Sequence, residues 1–254
     1  MTVNLPHALI AFAVAVFAGA LNSVAGGGSF LSFPTLLFLG LPPIVANATN
    51  NTAMWLGTLS SAGGYREELR GRIGLWPALA VSLVGSVAGA ELLLHTPDAT
   101  FTRLIPWLLL FATVIFAASD LLRLLAKHRE NIADDRIDAR WLPALFLVSI
   151  YGGYFGAGIG ILMLAMFALA GWANIHRMNA VKVALAASIN GIAVVPFLFA
   201  HKIAWVDAVI LTAGAVLGGY YGARLARRVA PRVVRIAVVT VGAGMTAYFF
   251  LHGA

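Results

Sequence analysis

The chain has 254 residues, of which 61% are hydrophobic and 11% are charged, a composition that excludes a soluble globule and indicates an integral membrane protein. Its net charge of +7 does not indicate a nucleic-acid partner, because Lys and Arg lie in short loops between apolar segments, where they determine topology. The absence of cysteine excludes disulfides, thiolate catalysis and sulfur-ligated metals, and we expect no cofactor.

The first predicted segment, residues 5–24, is long enough to cross a bilayer, since about 20 residues at ~1.5 Å each cover its core of ~30 Å. It lacks the basic start of a cleavable signal peptide, so we interpret it as a retained helix. Gly26, Gly27 and Gly28 then oppose helix propagation at a cost of about 1 kcal/mol each. Because lipid offers freed backbone no hydrogen-bond partner, this break predicts a discontinuous helix around a site.

The next segments complete the first half of the chain. Residues 29–41 are too short to cross comfortably and predict a half-helix or one arm of a re-entrant hairpin. A third segment with polar side chains at its start and two ordinary spans follow, over residues 47–62, 76–94 and 104–125. A hydrophilic stretch, residues 127–140, then divides the chain into two nearly equal halves.

The second half repeats the order of the first. A segment over residues 141–155 leads to a second glycine break at 156–160, and a short apolar arm precedes a segment that opens at Met178. The alignment that sets Asn47 on Asn179 also pairs Gly26 with Gly158 and Gly28 with Gly160. Such duplications are common in transporters. They predict a repeat over residues 1–126, a cytoplasmic linker over 127–140 and a second repeat over 141–254.

The Arg content of equivalent loops predicts that the two repeats are inverted. Three Arg residues lie within 65–72, whereas the equivalent loop of the second half carries only Lys202 beside His201. Residues 95–102 hold no Lys or Arg, whereas their counterpart holds five Arg residues within 224–235. If positive loops are cytoplasmic, both termini lie outside. We therefore predict an all-α membrane protein of two inverted repeats, each with about five segments and a broken or re-entrant pair at its start.

The stretch around the first break resembles the TauE/SafE sulfite exporter family, also called the toluenesulfonate uptake permeases. The residues that carry the resemblance are Asn22-Ser23, Ala25 to Phe30, Pro34, Gly40 to Pro43 and Ala46 to Asn50. A weaker second copy, residues 152–158 with 179–182, is similar to the family's C-terminal motif. The resemblance implies transport of small anions such as sulfite, organosulfonates or sulfoacetate across the bacterial inner membrane. It leaves the substrate and the direction of transport open.

The same residues allow a physical account of an anion site. Interrupted helices present backbone N–H groups and the positive end of the helix dipole, and glycines let that backbone approach a ligand closely. The predicted substrate-binding residues are Asn22, Ser23, Gly26, Gly27, Gly28, Ser29, Asn47, Thr49, Asn50, Asn51, Gly158, Gly160, Asn179 and Lys182. The alternative is that the polar side chains cap broken ends or join helices, while the glycines permit tight packing.

Lys182 is the ionisable residue that we single out, because it lies one turn into an apolar segment at the position that matches Asn50. Charges inside membranes are costly and tend to mark functional sites. The alternative for Lys182 is snorkelling to the cytoplasmic interface, since Arg177 lies five residues before it. Two matched glycine pairs, Gly85 with Gly89 and Gly214 with Gly218, are assigned to helix packing.

A secondary transporter that works by alternating access around a central site is the main functional interpretation. A passive anion channel is the alternative, because a broken-helix site also suits a channel, and an intramembrane enzyme or a structural subunit comes after it. The six His residues lie near segment ends and are not spaced for a shared metal, so we expect no enzyme and no metal site. The expected partners are a small anionic substrate and the lipid bilayer of the inner membrane, without nucleic acid. Whether the protein forms a homodimer stays an open question.

Overall fold

The computed structural model describes residues 4–24, 26–62, 75–126, 137–172, 175–225 and 231–252. Within these ranges the chain forms ten α-helices, a 3-10 turn at Ala139–Trp141 and no strand, which confirms the all-α class. The helices are α1 (Leu5–Val24), α2 (Ser29–Phe38), α3 (Pro43–Ala62), α4 (Trp76–His95), α5 (Asp98–Ala126), α6 (Leu142–Tyr154), α7 (Ile159–Leu169), α8 (Ile175–Phe199), α9 (Trp205–Leu225) and α10 (Pro231–His252).

Four stretches of the described helices are long and apolar enough to cross a bilayer by themselves. They are Leu5–Ser23, Trp76–His95, Asp98–Ile115 and Arg177–Phe199. Large apolar side chains such as Phe17 and Trp76 are exposed on their outer faces, which suits contact with lipid. Most of the linker and the Arg-rich loop at 65–72 fall outside the described residues, and so does the centre of the second Arg-rich loop, 226–230.

Three helix starts differ from the sequence-based expectation, and one of them is α8, which begins at Ile175 and not at Met178. Helix α3 begins at Pro43 and not at residue 47, since proline is pre-organised for the first helical position and the Ala46 N–H donates to the Pro42 carbonyl at 2.8 Å. The polar residues 47–51 therefore lie in the helix interior. Helix α5 begins at Asp98 and not at residue 104, with a carboxylate at the positive end of the helix dipole.

The short helices α2 and α7 end in the same way. Gly40 and Gly171 follow them with φ of +90° and +87°, a conformation that favours glycine. After each glycine, a backbone N–H reaches five residues back, from Leu41 to Leu36 and from Trp172 to Phe167. These are glycine-terminated helix ends of the Schellman type. They turn the chain toward α3 and α8, the two longer helices that line the site.

Helix packing is reciprocal between the two halves. Helix α1 lies along α9, and α6 lies along α4. In the same way α3 packs against α9 and α8 packs against α4, while α3 also contacts α8 and α5 contacts α10. His7 Nε2 and Asp207 Oδ1, which are 2.5 Å apart, join the first turns of α1 and α9. The pairs α1–α9 and α3–α9 therefore have counterparts in which the halves exchange places, and α3–α8 and α5–α10 join equivalent helices.

The matched glycine pairs form the closest helix contacts. On α4, a Cβ placed on Gly85 would lie 2.8 Å from the Phe146 carbonyl oxygen, and one placed on Gly89 would overlap the Ile150 carbonyl oxygen. The pair on α9 makes the same contacts with α1, Gly214 against Phe12 and Gly218 against Val16. Only residues without a side chain allow backbones to approach this closely. The assignment of these glycines to packing is confirmed.

Candidate functional site

The two glycine breaks lie against each other in the interior of the protein. A Cβ placed on Gly26 would lie 3.2 Å from the Gly160 Cα, and one placed on Gly160 would lie 3.3 Å from the Gly26 Cα. Backbone therefore meets backbone with no side chain between the breaks. This contact brings together the glycine breaks of the two predicted repeats at one place in the fold.

The conformation of the breaks corrects the sequence alignment between them. Gly26 and Gly156 have φ of +84° and +76°, and the N–H of each donates to a carbonyl five residues earlier, at the ends of α1 and α6. Gly28 and Gly158 then precede the first residues of α2 and α7 as N-caps. By position in the fold, Gly26 corresponds to Gly156 and Gly28 to Gly158. The alignment paired Gly26 and Gly28 with glycines two residues later, because the connection from the break to the next long helix is two residues longer in the second half.

A cavity of about 20 Å³, which holds about one water molecule, lies beside the contact between the breaks. Its walls come from α1, α2, α3, α7, α8 and the two breaks. The lining residues are Asn22, Gly26, Ser29, Met54, Thr58, Gly156, Ile159, Gly160, Lys182, Val183, Ala186 and Asn190. Of the predicted site residues, the structure brings together Asn22, Gly26, Ser29, Gly160 and Lys182 here.

Lys182 is the charged residue among the described residues that line this cavity. Its side chain is only 2% exposed, and its Nζ donates to Asn179 Oδ1 at 2.9 Å. The aliphatic stem crosses the second break, since a Cβ placed on Gly160 would lie 3.2 Å from the Lys182 Cδ. Helix α8 begins at Ile175, so Lys182 lies about two turns inside it. This burial argues against snorkelling, which would place the ammonium in water.

Sequence reasoning missed two polar lining residues, Thr58 and Asn190. The starts of α3 and α8, Pro43 and Ile175, agree with the alignment of Asn47 on Asn179. That alignment pairs the cavity residues of the two helices position by position, Met54 with Ala186 and Thr58 with Asn190. Residues four apart share one face of a helix. Stepping by four from Lys182 would therefore have found Asn190, and the same step from Asn50 would have found Thr58.

The two polar residues differ in their hydrogen bonds. Thr58 Oγ1 donates to the Met54 carbonyl at 2.8 Å and accepts from Asn22 Nδ2 at 2.9 Å. Asn190 is 5% exposed, and within the described residues its Oδ1 has no hydrogen-bond partner. Asn22 and Thr58 therefore hydrogen-bond within the first half, whereas Asn190 has an unused acceptor among the described residues.

The polar residues predicted near the start of α3 mainly bind other parts of the protein. Asn47 Nδ2 donates to the Tyr154 carbonyl at 2.9 Å, at the end of α6. Thr49 Oγ1 accepts from the Ala204 N–H at 3.0 Å, just before α9. Asn50 Oδ1 accepts from Ser32 Oγ at 2.5 Å. These hydrogen bonds join helices, as the alternative interpretation expected, and a direct role in substrate binding stays a prediction.

The remaining predicted residues lie around the breaks without lining the cavity. Ser23 Oγ donates to the Ala20 carbonyl of its own helix at 2.8 Å, and a Cβ on Gly158 would lie 3.0 Å from the Ala112 Cβ. Gly27 is buried, and a Cβ on Gly28 would overlap the Ala18 carbonyl oxygen. Asn51 lies beside the second break, because a Cβ placed on Gly156 would lie 3.3 Å from the Asn51 Oδ1. Within the described residues the Asn51 Nδ2 has no hydrogen-bond partner.

Spanning helices, short helices that begin at glycine breaks and a buried polar cavity define a multi-pass membrane protein with an internal site. The comparison with protein families then identifies the family. The chain belongs to the sulfite exporter TauE/SafE family, whose model matches residues 11–249. This match confirms the resemblance carried by the first glycine break and the motif around it.

Curated relatives carry transporter names. A "Probable membrane transporter protein" of Haemophilus influenzae is 28% identical over 255 residues, which cover 97% of this chain and 96% of the relative. Two further relatives are also named probable membrane transporter proteins, and each is 28% identical to this chain. ORF9 of a Sinorhizobium species matches over 91% of this chain, and YfcA of Escherichia coli K12 matches over 94%. The match covers 87% of each relative. No solved structure gives a significant match. These names agree with a transporter and not with an enzyme.

Proposed function

We propose that this protein is a secondary transporter of small oxyanions such as sulfite, organosulfonates or sulfoacetate, with its central site at the contact between the two glycine breaks. The observation that carries the proposal is the buried Lys182 in a polar cavity at the Gly26–Gly160 contact. In a low-dielectric interior the attraction between an ammonium and an anion is several times stronger than in water. Helices α2 and α7 both begin at this contact, so their N-terminal dipole ends add positive potential.

Reciprocal packing supports an inverted two-fold relation between the repeats. The pairs α1–α9 and α6–α4, together with the self-equivalent pairs α3–α8 and α5–α10, are what such an axis through the cavity would produce. The cavity, of about 20 Å³, has room for about one water molecule and not for an oxyanion. Substrate entry therefore requires the repeats to separate, and rocking of one repeat against the other would open the site to one side at a time.

Transport by purified protein in vesicles tests this proposal. A carrier gives flux of a labelled sulfonate that saturates with concentration and shows counter-transport, whereas ohmic anion current would favour a channel. If the purified protein neither binds nor moves any of these anions, the proposed function is wrong.

The Lys182→Gln variant tests the site itself. A hydrogen bond to a charged group contributes about 1.5–3 kcal/mol, so we expect at least about a tenfold loss of sulfonate affinity. Lys202→Gln is the matched control, because it makes the same charge change just after α8, outside the cavity lining. Both variants should elute as monodisperse protein in detergent. Equal affinity of the Lys182 and Lys202 variants would remove Lys182 from the site.

A further inference from the structure

The cavity is lined unequally by the two repeats. A protonated Lys182 supplies one positive charge, and the other polar side chains among the described lining residues, Asn22, Ser29, Thr58 and Asn190, are neutral. The position aligned with Lys182 in the first repeat is Asn50, whose Oδ1 is occupied by the Ser32 hydroxyl. If the first repeat also had a lysine at this position, two charged side chains would lie around the cavity. The described lining holds one formal charge, to which the N-terminal ends of α2 and α7 add only partial positive charge.

Asn190 adds a second, independent observation. Buried polar groups are normally hydrogen-bonded, and leaving one unpaired has a free-energy cost. Asn190 lines the cavity, is 5% exposed, and has an Oδ1 without a partner within the described residues. The unpaired Oδ1 is an acceptor, so it can accept a hydrogen bond from a ligand hydroxyl without adding charge.

Building on the proposed function, we propose that the cavity selects singly charged over doubly charged oxyanions, with Lys182 neutralising the ligand and Asn190 Oδ1 accepting a hydrogen bond from a ligand hydroxyl. A second negative charge would leave water without a cation among the described lining residues, and an unpaired buried charge is strongly unfavourable. A neutral amide at the position of Asn190 binds the ligand without contributing the second compensating charge. The inference narrows the substrate class to monoanionic sulfonates and related monoanions.

Isethionate and sulfoacetate form a suitable pair of probes. Both have two carbons and one sulfonate, but the second substituent is a hydroxyl in isethionate and a carboxylate in sulfoacetate. Binding to the purified protein is measured by calorimetry near neutral pH and at matched ionic strength. We expect isethionate to bind at least about tenfold more tightly, the ratio that 1.4 kcal/mol produces. Equal or tighter binding of sulfoacetate overturns the selection and leaves the transporter proposal standing, whereas no binding of either probe overturns both.

Variants of Asn190 test its part in the selection. Asn190→Asp keeps the size of the side chain but cancels the cavity's positive charge, so isethionate binding should be lost. Asn190→Ala removes the hydrogen bond alone and should weaken isethionate binding by about tenfold. Ser82→Ala is the control, because Ser82 is a fully buried residue on α4 outside the cavity lining, and its hydroxyl has no hydrogen-bond partner within the described residues. Parent-like affinity of Asn190→Ala would overturn the role of Asn190, even if the Asp variant fails to fold.

Discussion

The helix contacts and the central cavity both join equivalent parts of the two repeats, but they differ in symmetry. At the contacts, Gly89 meets the Ile150 carbonyl in one half as Gly218 meets the Val16 carbonyl in the other. At the cavity, Lys182 stands where the first repeat has Asn50. Close backbone packing requires a residue without a side chain at the equivalent position of both halves. A single bound ligand, in contrast, requires a charged side chain from one half only. The predicted duplication would therefore account for the scaffold, and differences between the two predicted copies would indicate the chemistry.

Reporter fusions give the largest expected effect, because a compartment-specific reporter is either active or inactive. The Arg content of equivalent loops predicts that the two repeats have opposite orientations in the membrane. A reporter that is active only in the cytoplasm should work when inserted in the linker at 127–140 and fail when fused after residue 254. A reporter that is active only outside should behave in the opposite way. An external linker with an internal C-terminus would contradict the predicted topology.

Valine at the packing glycines should cause the next largest effect. Gly89→Val and Gly218→Val each place a branched side chain against a backbone carbonyl, and overpacking of this kind costs about 1–3 kcal/mol or more. Because the two contacts are equivalent, the loss of thermal stability in detergent should be similar for both. Gly244→Val on α10 is the matched control, since a Cβ there meets nothing within 4 Å. A large loss for one glycine and none for the other would show that the contacts are not equivalent.

Local features of the fold could be predicted from the sequence, because their causes are local. The length of α1 and the glycine breaks follow from apolar runs and from the helix propensity of glycine. The start of α3 was predicted wrongly, because the polar residues 47–51 suggested a helix end, whereas Pro43 begins the helix. Their partners explain why they lie inside it. Asn47 binds the Tyr154 carbonyl and Thr49 the Ala204 N–H, across a distance in sequence that no local pattern reveals.

Which residues line the cavity depends on the side that each helix turns toward it. Local sequence does not determine this orientation. Lys182 was predicted from its charge inside an apolar segment and from its match to Asn50 in the internal alignment. Asn190 and Thr58 lie two turns further along α8 and α3. Asn and Thr are common in membrane helices, so they indicate a site only once they are known to lie on the side of the helix that faces the cavity. The internal alignment, applied along the whole length of both helices, is the signal that would have found them.

Gly160→Ala should give the smallest effect and tests the boundary between packing and site. The added Cβ would lie 3.2 Å from the Lys182 Cδ and 3.3 Å from the Gly26 Cα, so these neighbours must shift by a few tenths of an ångström. A cost near 1 kcal/mol corresponds to less than tenfold, and we expect isethionate affinity to fall by several-fold. Stability should change little, because alanine favours the helix by about 1 kcal/mol over glycine and offsets the tighter contact. Gly244→Ala makes the same substitution in open space and should leave affinity unchanged. If both variants bind isethionate like the parent, the contact between the breaks serves packing alone, and the anion site lies elsewhere.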